Sequence, residues 1–99
     1  MSAYVIVFRE TPVTDVEAIE EYKRLAPAKE PTPGLKVLAA YGALTPLDGE
    51  APDAVVVMEF PTVEMAKNWF YTPNYQAAVA ARSKAAKFRC VIVEGLPSN

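Results

Sequence analysis

The chain contains no histidine. That excludes Ser–His and Cys–His nucleophilic catalysis and the usual imidazole ligand sets for zinc and non-haem iron. Acid–base chemistry would have to come from carboxylates, tyrosine, lysine or arginine. Cysteine is almost as scarce. Cys90 stands alone, so no internal disulfide can form, and its place in the apolar run "FRCVIV" reads as a buried structural thiol. No apolar run approaches the roughly 20 residues that span a bilayer. "MSAYVIVFRE" has no basic segment before its apolar stretch, so no export signal is expected. Basic blocks are missing too. With a net charge of −2 and a pI near 5.1, nothing offers the clustered Lys and Arg that displace counterions from nucleic acid. The acids Asp48, Glu50 and Asp53 lack the spacing of a calcium loop. The expectation is a cytoplasmic protein without metal or cofactor, and with neither nucleic acid nor membrane as partner.

What is present describes a globular chain. Its 99 residues are 52% apolar and 22% charged, which suits one domain over residues 1–95 with 96–99 as a tail. "AYVIVFRE" (3–10) reads as a mostly buried strand. Thr14 and Glu17 have the spacing of a capping box opening a helix, with Val16, Ile19, Tyr22 and Leu25 or Ala26 as its apolar stripe. The acids Asp15, Glu17, Glu20 and Glu21 precede the bases Lys23 and Arg24, the order that the helix dipole favours on a solvated face. "PAKEPTPG" (27–34) is a loop, and "LKVLAAYGAL" a second strand. "TPLDGEAPD" centres a hairpin on Asp-Gly, with "AVVVMEF" (54–60) as the return strand. Thr62 caps a second helix whose buried stripe is Val63, Ala66 and Phe70. Thr72 and Pro73 break or restart it, since threonine caps and proline suits a first helical position. "KFRCVIVEG" closes as the last strand.

The order β-α-β-β-α-β is that of a ferredoxin-like α+β fold, a four-stranded antiparallel sheet with two helices on one face. Its strands are apolar on both faces (Val5 and Ile6, Val56 and Val57, Val91 and Ile92), and helices cover only one. The other would far exceed the few hundred Å² of apolar surface that a monomer usually exposes. A second copy related by a two-fold axis is the simplest cover.

At this point the chain resembles the bacterial family called domain of unknown function 1330 (DUF1330), within the dimeric α+β-barrel superfamily. "AYVIV" and "VTDVEAIEEYKRLAPA" are similar to its first strand and helix. "VVVMEFPTVEMAKNWFYTPNYQAAVAAR" and "VIVEG" are similar to its third strand, aromatic second helix and last strand. The resemblance implies paired sheets closing a barrel between two copies. It implies no single reaction, because relatives include cofactor-free monooxygenases, cyclases, isomerases and dye-decolourising peroxidases.

Candidate chemistry rests on a few residues. With strands one and three taken as parallel neighbours, Arg9, Glu10, Glu59, Lys36 and Arg89 gather at one sheet edge. Glu59, ending an apolar strand, is a proton acceptor or donor if desolvated, or else a member of a structural ion pair. Arg82 lies seven residues beyond Tyr75 on one helix face. It could bind a carboxylate or enolate oxygen, or make a salt bridge at a dimer surface. Trp69 and Tyr75 are placed at a pocket between helices and sheet, the alternative being that they pack one helix on the other. Tyr4 and Tyr41 could donate a phenolic proton into a cavity, or simply pack. Two functions stay open: a cofactor-independent enzyme acting on a hydrophobic, oxygenated small molecule, and a non-catalytic dimeric module that binds a small molecule or partner.

Overall fold

Alternating β-branched and aromatic residues set three strands, β1 (Ala3–Arg9), β3 (Ala54–Phe60) and β4 (Phe88–Glu94). The computed structural model describes residues 1–25 and 32–97. β2 (Lys36–Ala40) is shorter, exposed throughout, and shifted in register between Val37 and Ala39. The sheet runs β2-β3-β1-β4 with every neighbour antiparallel.

That topology corrects one expectation. β1 and β3 are adjacent but antiparallel. The helical crossover makes β1 and β2 parallel, so β3, joined to β2 by a hairpin and inserted between them, runs against both. The predicted charge cluster therefore splits. Glu59 pairs in register with Tyr4 on one side and Lys36 on the other. Arg9 lies at the far end, opposite Ala54 and Phe88. There Arg9 Nε contacts Asp53 Oδ2 at 2.7 Å, and Arg89 Nε contacts Glu10 Oε1 at 2.7 Å.

Three helices follow, where two were expected. α1 (Val16–Leu25) is capped by Asp15, whose carboxylate accepts from Ala18 N at 3.0 Å. Thr14 is not the cap. Its N–H and hydroxyl both donate to Ala85 O, tying the start of α1 to the end of α3. Val16 is 68% exposed, so the inward stripe is Ala18, Ile19 and Tyr22. Ala26 and most of the predicted 27–34 loop lie outside the described residues. α2 (Val63–Phe70) starts at Thr62, whose hydroxyl accepts from Met65 N. α3 (Pro73–Ala85) starts at Thr72, as the Thr-Pro signal predicts. The Thr72 hydroxyl accepts from Tyr75 N at 3.3 Å and donates to Trp69 O at 2.8 Å, so one side chain closes α2 and opens α3.

All three helices lie on one face. Ala3, Val5, Val7, Met58 and Phe60 point into them and pack with Ala66, Trp69, Tyr75 and Ala78. Gly34 is required where the chain enters β2: its φ is +82°, and a Cβ there would sit 2.8 Å from Pro61 Cδ. The opposite face carries three rows set by register: Lys36–Glu59–Tyr4–Val93, then Ala39–Val57–Ile6–Val91, then Val55–Phe8–Arg89. The middle row is wholly apolar, and among the described residues no helix covers it. Between β2 and β3, residues 41–51 form an exposed arm that ends in Asp48 and Gly49 (φ +75°), with Leu47 95% exposed.

Candidate functional site

On α3, Ala78, Ala81 and Ala85 are buried small residues, and they leave room for one large side chain. Arg82 takes it. Two turns beyond Tyr75 and on the same face, it is 2% exposed, the one charged side chain buried among the described residues. Its Nη1 donates to Tyr75 Oη at 2.8 Å. Its Nε has no acceptor. The guanidinium carbon lies 5.1 Å from the Phe88 ring centre, 5.5 Å from that of Tyr75 and 5.9 Å from that of Tyr22. These π faces replace part of the lost hydration. They do not replace an anion, and the ion pairs among the described residues all lie elsewhere. Burying a cation without a counter-charge costs several kcal/mol, roughly.

A second orphaned donor lies close by. Trp69 is 6% exposed and its indole Nε1 also lacks an acceptor. Its ring centre is 4.1 Å from that of Tyr75 and 5.3 Å from that of Phe60. Trp69, not Phe70, is thus the deepest aromatic of α2; Phe70 is only half-buried against the same core. The inward stripe steps from Ala66 by three residues to Trp69, which brings the indole onto Phe60.

Burial disfavours the charged forms of two neighbours, Tyr75 and Cys90. Burial pushes the Tyr75 phenol well above its usual range, and the Arg82 charge only partly opposes this. Burial likewise raises the Cys90 thiol against the pull of Arg82. Tyr75 accepts from Arg82 and keeps its own proton to donate, which the cation strengthens. Arg82 Nε–H and Trp69 Nε1–H thus flank Tyr75 as buried donors without an acceptor. Such a set can hold a carboxylate or an enolate oxygen.

The other predicted residues are placed differently. Glu59 and Tyr4 are on the open face, so the sheet stands between Glu59 and Arg82. Tyr41 follows β2 with φ +58° and is 57% exposed. Partial burial and the Tyr22 phenol push its own phenol up. From sequence Tyr22 and Cys90 read as packing residues, and Phe88 is not singled out. Each sits in an apolar periodic pattern that reads as packing, and only the charge they surround marks them. A cavity of about 190 Å³ opens between α2 and β4, lined by Lys67, Phe70, Tyr71, Cys90, Val91 and Ile92. Cys90 is the wall it shares with the Arg82 corner.

The family model described as Domain of unknown function (DUF1330) matches residues 2–96. The chain belongs to the DUF1330 family. No curated protein matches it. Among solved structures, it is similar to a dimeric ferredoxin-like protein of unknown function from Jannaschia sp., at 16% identity and TM-score 0.73, covering 96% of this chain and 100% of that one. It is also similar to the RPA0582 protein of unknown function from Rhodopseudomonas palustris, at 21% identity and TM-score 0.63, covering 98% and 84%. SnoaB, a cofactor-independent oxygenase from Streptomyces nogalater, is similar at 13% identity and TM-score 0.58, covering 98% and 94%. These likenesses establish the ferredoxin-like fold of this DUF1330 chain. Among its described residues, no helix is long and apolar enough to cross a membrane.

Proposed function

We propose that this DUF1330 protein is a homodimer that binds an apolar, oxygenated small molecule between its helices and its sheet. Arg82 is the partner of an acidic oxygen on that molecule, and Trp69 and Tyr75 are both wall and donors. The observation that carries this is the buried guanidinium with a free Nε beside a buried, free indole N–H. A protein gains no stability from such an arrangement, so a ligand that completes it explains it better than packing does. The dimer is supported by the uncovered apolar row on the open face, and by the dimeric state named for the similar proteins from Jannaschia sp. and Thermobifida fusca. A cytoplasmic setting accords with a lone, unpaired cysteine.

A catalytic version of the same site is favoured by its donor set, which would stabilise an enolate as well as a carboxylate, and by the fold shared with SnoaB. Glu59 has no part in it. Burial raises both Tyr75 and Cys90 and works against either as a base, so this version favours substrates acidic enough to ionise on binding. The test is a thermal-shift and calorimetric screen of apolar carboxylic and enolic acids against the wild type and Arg82→Gln. The expected result is a ligand that stabilises the wild type and loses at least tenfold in affinity for the variant. Equal binding to both proteins would overturn the reading.

A further inference from the structure

The groove between α2 and β4 and the 41–51 arm have complementary properties, and they lie at opposite edges of one sheet. The groove is apolar, with Phe70, Tyr71, Val91 and Ile92 in its walls and Lys67 as its charged group. The arm offers Leu44, 39% exposed, and Leu47, 95% exposed. It also carries Asp48 and Glu50, which make no ion pair among the described residues. Neither feature can satisfy the other within one chain, because β3 and β1 separate β2 from β4. Across a two-fold axis they can meet.

The rows of the open face select that axis. Two sheets packed face to face can be related by an axis lying along the strands or one lying across them. An axis across the strands sets each row against its opposite. Glu59 then lies over Val55 of the partner subunit, a carboxylate buried on an isopropyl group, and Tyr4 over the partner's Phe8. An axis along the strands keeps each row on itself and sets β3 over β1, and β2 over β4. Glu59 then faces the partner's Tyr4, a phenol that can donate to it. In the middle row Val57 meets the partner's Ile6, and Ala39 meets the partner's Val91, so small residues oppose larger ones. Inter-sheet twist of about 30° leaves this matching intact near the centre. Lys36 neighbours Glu59 in register in either arrangement; the second adds the partner's phenol as a donor to the carboxylate, at the cost of setting Lys36 over the partner's Val93.

We infer that in the homodimer the arm of each copy crosses the sheet edge and seats Leu44 and Leu47 in the α2–β4 groove of the other copy, with Asp48 and Glu50 facing Lys67. The inference rests on the homodimer proposed above. The arm leaves β2 at Tyr41, at the same end of the sheet as Arg9 and Phe88. With the axis along the strands, β2 lies over the partner's β4 and the arm emerges beside its upper part. Val91 belongs both to the open face and to the groove lining, so the two contacts are continuous. Cys90 is the shared wall, which makes the arm the outer closure of the partner's Arg82 corner.

Cross-linking tests this. In a Cys90→Ser background, Leu47→Cys and Tyr71→Cys are placed on one chain; both side chains are exposed (95% and 70%), so the fold is preserved. Mild oxidation, or a short bis-maleimide, should convert the protein to a species of twice the 10.8 kDa chain mass. Each single-cysteine control should stay uncoupled. Lys67→Glu should weaken the dimer severalfold, and Asp48→Lys added to it should restore the association. A protein that is dimeric by light scattering yet does not cross-link overturns the arm inference and leaves the homodimer standing. A monomer near 10.8 kDa overturns both.

Discussion

The two faces of the sheet are made by the same strands, yet their residues answer to different neighbours. On the helix side Val5 is completely buried and Phe60 is 1% exposed, and each has its packing partners within the chain. On the other side Val91 and Val93 are 42% and 48% exposed. The helix side is complete apart from one polar corner, whose donors lack an acceptor. The open side is polar at its ends and lacks an apolar cover at its centre. On the reading proposed above, the two faces call for different complements: a small anion on one, a surface of matching shape on the other.

The sharpest way to break this comparison is to place one charge on each face. Val5→Asp should abolish folding, because a carboxylate would enter a dry core with no partner, a cost above about 4 kcal/mol. Ile6→Asp, one residue along and on the other face, should leave a folded monomer. Circular dichroism with light scattering reads both outcomes. Two unfolded proteins, or a dimeric Ile6→Asp variant, would erase the distinction between the faces.

Arg82→Met comes next. If the guanidinium is retained for a ligand, an apolar side chain of similar length should fill its place with stability unchanged or raised by up to about 2 kcal/mol. Tyr75 would lose one hydrogen bond, worth about 1 kcal/mol. Binding of an apolar acid should then fall at least tenfold while the melting temperature holds. A marked loss of stability would assign Arg82 to the core and not to a ligand.

Much of this contrast can be read from the chain itself, and the reasons are local. Strand positions follow from period-two runs, and the helix restart follows from Thr72 and Pro73. Both are decided by neighbours in sequence. The uncovered face also follows, because Val5 and Ile6 cannot both point into one helix layer. Strand direction failed because it depends on a hairpin inserted between two distant strands, which no short motif encodes. Asp15 displaced Thr14 as the cap because Thr14 was needed by Ala85, 71 residues away. For the site, the spacing of Tyr75 and Arg82 was visible, but the burial of Arg82 was not. That burial arises from Tyr22 on α1 and Phe88 on β4 closing around it. Glu59 looked comparable in sequence because its face depends on register alone.

Alkaline titration should sharpen the picture of the polar corner by a smaller amount. Tyr75 has a higher pKa folded than unfolded, because burial disfavours the phenolate. Its contribution to stability is therefore fully present below the unfolded value of about 10. It declines as pH rises from there toward the folded value, where the unfolded chain alone is ionised. Tyr75→Phe should cost about 1 kcal/mol at pH 7 through the lost Arg82 hydrogen bond. The same variant should lose less stability between pH 9 and 11 than the wild type does, as followed by denaturant melts. Parallel curves would show that the Tyr75 phenol is not held in a low-dielectric site.

The smallest expected effect uses Cys90 as a reporter of the same charge. Burial raises its thiol while the Arg82 cation pulls it down, so at pH 8 it should react with iodoacetamide more slowly than a free cysteine. Arg82→Met removes only the opposing pull. The thiolate fraction should then drop further, and alkylation should slow by a factor of about two to five. Ile6→Asp leaves Arg82 in place, and any change in reactivity it causes would report on the partner's arm over the groove instead. If that variant accelerates alkylation while Arg82→Met retards it, one thiol distinguishes what each face contributes to the site.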